Sequence, residues 1–153
     1  MNRIETVRQQ VDTILLGMSD AEERRCGYVH LYGVAQACAL LAKKRGESVE
    51  LAVIAGMLHD IYSYANMDAA DHAHKGATIA REILESLNVF SEEETDLICT
   101  AIYRHSDKEL VHNALDEILK DGDVLQHVMY NPLFEIKQTE QERYGKLAAE
   151  LGL

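Results

Sequence analysis

Leu51 to Leu58, read as Leu-Ala-Val-Ile-Ala-Gly-Met-Leu, offer no polar face and run directly into the pair His59-Asp60. A helix that is apolar all round has to lie inside a protein. Ser48 stands ahead of the run as an N-cap, with Glu50 in the first turn where a negative charge suits the helix dipole. The segment therefore predicts a central buried helix from Val49 to about Tyr62, and the rest of the chain must wrap it.

That wrapping is helical, because apolar residues recur at helical spacing nearly everywhere and no hairpin dipeptide sits between alternating runs. A first helix is expected from about Asn2 to Leu16, stopped near Gly17. Ser19-Asp20 caps a second, from Ala21 to Lys44, with Gly46 as its C′ residue. Ser63 to Ala70 reads as a loop and Asp71 to Leu87 as a fourth helix. Ser91 and Glu94 have capping-box spacing and start a fifth that reaches Tyr103 or His105. Further helices are expected over Lys108–Lys120, Asp123–Tyr130 and Leu133–Glu150. No linker, repeat or low-complexity tract divides the 153 residues, so an all-α, single-domain bundle is the expected architecture.

The net charge of −11 repels phosphate backbones and argues against a protein that coats nucleic acid. An acidic chain still accepts a phosphorylated small molecule if a metal or a few local cations reverse the field inside the site. Cys26, Cys38 and Cys99 lack any paired spacing and read as buried small hydrophobes in a reducing compartment. No stretch reaches the roughly 20 apolar residues of a membrane span, and the first residues lack a signal-peptide run. A cytoplasmic protein without membrane contact is expected, and self-association is compatible with the sequence.

Polar residues on apolar faces carry the functional signal. His30 lies in the stripe Cys26, Val34, Cys38 and Leu41. His72 begins the stripe Gly76, Ile79, Ala80, Ile83 and Leu87, while Ile98, Ala101 and Ile102 continue to His105. Any single histidine of this kind is usually a hydrogen-bonded core residue. Three helices aiming imidazoles inward, beside a buried helix that ends in His-Asp, would cost several kcal/mol without a shared partner. A divalent cation supplies one, since it neutralises the carboxylate and uses the imidazole lone pairs. The mixed nitrogen and oxygen donors suit manganese, iron, cobalt, nickel, catalytic zinc or magnesium, with water positions left open.

His30-Leu-Tyr-Gly-Val34, then Leu58-His59-Asp60-Ile61, then Asp121-Gly-Asp123-Val-Leu125 resembles the H…HD…D signature of the HD domain superfamily of metal-dependent phosphohydrolases. The resemblance runs from about Tyr28 to His127 and includes the helix beginning Asp71-His72-Ala-His74-Lys-Gly76-Ala77. It implies that His30, His59, Asp60 and Asp123 hold a first metal, with His59 and Asp60 at the catalytic centre. The family's histidine stands four residues before its Gly-Ala pair, which selects His72 over His74. Its A-D-x-L pattern selects Asp123 over Asp121, whose plainer reading is an exposed helix-end charge. His72 and His105 match the additional histidines of members that hold two metals with the aspartate bridging; the alternative is that they contact a substrate phosphate beside one metal.

Many relatives carry a lysine soon after the His-Asp pair, and here the run is Ile61-Tyr62-Ser63-Tyr64. Lys75, Arg104 or Lys108 is left as a substitute contact for substrate phosphate, each with the plainer reading of a solvated helix charge. His127 lies one turn beyond Asp123 as a supporting residue, and His112 reads as surface. The resemblance implies attack of metal-activated water on a phosphate ester of nucleotide type, a small phosphorylated substrate. The same six residues also occur in HD-type di-iron oxygenases, and a non-catalytic ligand-binding HD domain is the third reading.

Overall fold

Three caps set the frame around which the chain packs. The Asp20 carboxylate accepts from the Glu22 and Glu23 amides at 2.9 and 3.0 Å, Ser48 accepts from Leu51, and Ser91 forms a full capping box with Glu94. The computed structural model describes residues 2–153 and contains eight helices and no strand among them. They are α1 (Arg3–Leu16), α2 (Ala21–Arg45), α3 (Val49–Leu58), α4 (Ile61–Asn66), α5 (His72–Leu87), α6 (Glu92–Arg104), α7 (Ala114–Tyr130) and α8 (Gln138–Leu151).

The apolar run does form the hub. In α3, Ala52, Ile54, Ala55 and Leu58 are fully buried, and the helix packs on α2, α6, α1 and α7. α2 contributes Leu31, Val34, Cys38 and Leu41 to the same core, while α5 and α6 pair as neighbours on the far side. No helix of the described residues is long and apolar enough to cross a membrane. Cys38 and Cys99 are buried free thiols, whereas Cys26, expected inside, is only half-buried.

The structure corrects four element boundaries. The central helix stops at Leu58 and does not reach Tyr62, because Asp60 takes φ −111° and ψ 15°, outside the helical range. The chain then resumes as α4, whose residues 63–66 fall in the expected loop. Gly76 explains what presses on this break: a Cβ there would lie 3.1 Å from the His59 carbonyl oxygen, so a small residue lets α5 lean on the bend.

The helices expected over 108–120 and 123–130 are one, α7, starting later at Ala114. Residues 108–113 stay out of it because side chains of α7 and α8 bond their carbonyls: Lys120 Nζ donates to Leu110 O at 2.9 Å, and Arg143 donates to Lys108 O and Leu110 O at 3.0 and 3.1 Å. Gly122 does not break α7. It is the contact glycine against α2, where an added Cβ would stand 2.5 Å from Cys38 Sγ. Finally α8 begins at Gln138 and not Leu133, since the Asn131 side chain accepts from the Leu133 amide and its carbonyl accepts from Phe134, a turn built at Asn-Pro.

Candidate metal centre

Adjacent residues in a continuous helix point about 100° apart, so His59 and Asp60 could not both face one point on an unbroken α3. The bend at Asp60 removes that conflict. Around it converge His30 from the middle of α2, His72 from the first turn of α5, His105 from the C-cap of α6, and Asp123 from α7.

Asp60 divides its two oxygens between two sets of nitrogen atoms. Oδ2 lies 3.2 Å from His30 Nε2 and 3.5 Å from His59 Nε2. Oδ1 lies 3.2 Å from His105 Nε2 and 3.5 Å from His72 Nε2. Asp123 Oδ1 completes the first set, 3.6 Å from His30 and 3.7 Å from His59. Within each set the paired nitrogens are close: His30 and His59 Nε2 are 3.1 Å apart, and His72 and His105 Nε2 3.3 Å.

The other nitrogen of each ring explains why this is a binding arrangement. Nδ1 of His59 faces the Gly56 carbonyl at 2.8 Å, Nδ1 of His105 the Ile102 carbonyl at 2.6 Å, and Nδ1 of His72 the Ala69 carbonyl at 3.2 Å. Nδ1 of His30 faces the Gln126 side-chain oxygen at 2.8 Å. A carbonyl only accepts, so each Nδ1 carries the hydrogen and each Nε2 presents its lone pair inward. Lone pairs would then face lone pairs at these separations, with Asp60 Oδ1 and Asp123 Oδ1 buried and without a hydrogen-bond partner. Two donors held about 2.0–2.2 Å from one cation stand roughly 3.0–3.6 Å apart, and the nitrogen–nitrogen and nitrogen–oxygen separations within the two sets run from 3.1 to 3.7 Å. The residues fit a divalent metal in each set, and backbone carbonyls supply the outer support that metal-binding histidines usually have.

Charge in the site follows the same geometry. Burial would raise the Asp60 carboxyl pKa, but His59, His105 and His30 outweigh it and hold the group well below the usual carboxylate range. Burial acts likewise on Asp123, where Lys108 and then the imidazoles of His59, His127 and His30 hold the carboxyl far below that range. Burial pulls His30 down, yet Asp60 and Asp123 more than offset it and leave its pKa raised. An imidazole this ready to take up a proton sits where a cation would compete for the same lone pair.

All six residues of the expected ligand set come together. His74 does not join them: it pairs with Asp71 at 2.8 Å and stacks on Tyr103 at the surface. Asp121 stays outside as well. It is no exposed helix-end charge but is buried between Arg45 at 2.6 Å and Arg143 at 2.8 Å.

The expected substrate cations Lys75 and Arg104 are engaged elsewhere. Lys75 Nζ bonds the Tyr62 hydroxyl at 3.1 Å and approaches Asp68, and Arg104 bonds Asp116 at 3.1 Å. The lysine at the site is Lys108, nearly buried, donating to Asp123 Oδ2 at 2.5 Å and to the His105 carbonyl at 2.7 Å. His112, expected at the surface, is half-buried and 2.6 Å from Lys120 Nζ.

Sequence reasoning passed over Glu140 altogether. Its buried carboxylate lies 3.0 Å from His127 Nδ1, while His127 Nε2 lies 3.2 Å from Asp123 Oδ1. The available signal was a carboxylate seven residues before the buried Leu147 on the same face of α8.

A family model described as HD domain matches residues 27–128. No curated protein matches the chain. Among solved structures, the chain is similar to a crystal structure described as a predicted HD superfamily hydrolase from an uncultured Thermotogales bacterium. That likeness has a TM-score of 0.64 at 19% identity, over 97% of this chain and 88% of the other.

Proposed function

Because this chain belongs to the HD domain family, with the match running from residue 27 to residue 128, we propose that it is a metal-dependent phosphohydrolase acting on a phosphate ester. The observation that carries the reading is the Asp60 carboxylate, whose two oxygens each complete a different pair of inward-facing imidazole nitrogens. His30, His59, Asp60 and Asp123 would hold one divalent cation, and Asp60, His72 and His105 a second. A cation bound there lowers the pKa of a water in the site toward neutrality and offsets charge gathering on phosphoryl oxygens.

The chain's own part is to hold the donors still and the charges balanced. Each imidazole is fixed by its outward Nδ1 bond, so the nitrogens need no reorganisation when substrate arrives. Lys108 neutralises the outer oxygen of Asp123 and leaves the inner oxygen to the site. Asp60 or a neighbouring imidazole handles the proton that leaves the attacking water. Esters of nucleotide type are the first substrates to try, following the family resemblance.

Metal analysis of the purified protein, followed by phosphatase and phosphodiesterase reporters with added manganese, tests the proposal. Turnover that needs the metal and stops with a chelator is expected. A metal-loaded chain that cleaves neither reporter nor any nucleotide contradicts it.

A further inference from the structure

A cavity of about 470 Å³ opens beside the donor cluster, with His30, Asp60 and His127 at its inner end. It lies between α2, α4, α7 and the 131–137 segment, on the side of the first donor set and away from His72 and His105. The volume is within the range of small-molecule sites and exceeds what a phosphate alone would fill. Its walls are Val29, Tyr64, Tyr130, Phe134 and Ile136.

Apart from the Tyr64 hydroxyl, the polar side chains Gln126, Glu140 and Arg25 of the lining already have partners. Gln126 accepts from His30 at 2.8 Å, Glu140 accepts from His127 at 3.0 Å, and Arg25 is paired with Glu22. Glu135 and Lys137 are exposed at the rim. What the cavity offers a ligand beyond the donor cluster is therefore chiefly apolar and aromatic surface. Phe134 lines it with 66% of its own surface open, an aromatic face at the mouth that the described residues leave uncovered.

We propose that this cavity takes a flat aromatic group on the alcohol side of the ester, held by stacking and buried area and not by hydrogen bonds to the ring edge. The inference rests on the phosphohydrolase reading for the position of the phosphate, but the cavity's preference stands on its own lining. A ring carried by an aryl alcohol and the base of a nucleoside share this chemistry. The Tyr64 hydroxyl on the wall turns to donate or accept as the ring edge requires, so the site treats different bases alike.

The test uses the manganese-loaded chain with naphthyl phosphate, the four common nucleoside monophosphates and glycerol phosphate, and the chelator-treated chain with naphthol alone. Naphthol binding is followed by its fluorescence, which needs no turnover. The expected result is a KM for the aromatic esters about tenfold below that for glycerol phosphate, with the four nucleotides within a few-fold of one another. Phe134→Ala and Ile136→Asp should raise the aromatic KM and weaken naphthol binding about tenfold at unchanged metal content, while Leu16→Ala, exposed on α1, changes neither. Lower KM for the nucleotides than for naphthyl phosphate identifies a nucleoside as the occupant, and the reverse order an aryl alcohol.

Naphthol binding that Phe134→Ala weakens, with no ester cleaved, supports the cavity assignment and defeats the phosphohydrolase reading. Equal KM for naphthyl and glycerol phosphates, absence of naphthol binding, or tenfold discrimination among bases overturns the cavity assignment while leaving the metal chemistry intact.

Discussion

At Asp60 one carboxylate serves two pairs of imidazoles, Oδ2 sharing the first pair with Asp123 and Oδ1 standing against the second. Asp60→Asn replaces an oxygen by an amide nitrogen that donates and does not bind a cation. The neutral imidazoles can still find hydrogen bonds, so the helical circular-dichroism spectrum should persist while hydrolysis falls about a hundredfold or more. An Asp60→Asn variant that is fully active with added manganese would remove this group from the mechanism.

Gln126 tests the outer support at the same scale. Its bond at the site is the one it accepts from His30 Nδ1. Gln126→Ala should weaken metal binding about tenfold to a hundredfold in a chelator competition, with the melting temperature little changed. Unaltered affinity would mean that His30 is oriented by packing alone.

The histidines and the His-Asp pair were legible in the sequence because each interrupts an apolar stripe. Lys108 and Glu140 were not singled out with the same force. Lys108 reaches Asp123 from a segment whose shape is set by bonds to Lys120 and Arg143, far along the chain.

Among the elements, glycines did opposite things to the sequence reading. Gly46, with φ 74°, ends α2 as expected. Gly122 falls between the helices expected over 108–120 and 123–130 and is instead a contact inside one helix, because helix propensity yields when a small residue lets two backbones meet. Gly122→Val should therefore destabilise the chain by about 1–3 kcal/mol through overpacking against Cys38. In a Cys38→Ala background the loss should shrink, a coupling visible in a double-mutant cycle of thermal melts. Equal losses in both backgrounds would show that the valine clashes elsewhere.

The bend at Asp60 was beyond periodicity, which sees Val49 to Tyr62 as one helix. Only the packing of α5 through Gly76 shows why the axis turns there. Residues 133–137 were read as helix for a related reason: Leu133 and Phe134 match a helical pattern, but Asn131 and Pro132 commit the local hydrogen bonds to a turn.

Across the whole molecule, α1 is clamped to two other helices through one side chain. Arg3 bonds Glu50 at 2.5 Å and Glu94 at 2.8 Å, and lies over the Phe90 ring. Hydrogen bonding to Arg3 is the first cause lowering the pKa of both glutamates from 4.5. Groups with depressed pKa values stabilise above the unfolded value and lose that contribution as pH falls through the folded one. The clamp is partly exposed, so Arg3→Met should cost only about 1 kcal/mol at neutral pH. The melting curves of the wild type and the Arg3→Met variant should converge as the pH drops below about 4.5. A difference that stays constant to lower pH would assign the effect to packing on Phe90.

The all-helical architecture and the family were legible at this scale. The cavity was not, since it is assembled from α2, α4, α7 and a segment beyond the HD match. The central claim is that one carboxylate joins two donor sets, and counting metals tests it most directly. Manganese- or iron-loaded wild-type protein should hold about two equivalents per chain, and His72→Gln or His105→Gln about one, with the first set still filled. A catalytically competent wild-type chain carrying a single metal, unchanged in both variants, would contradict it.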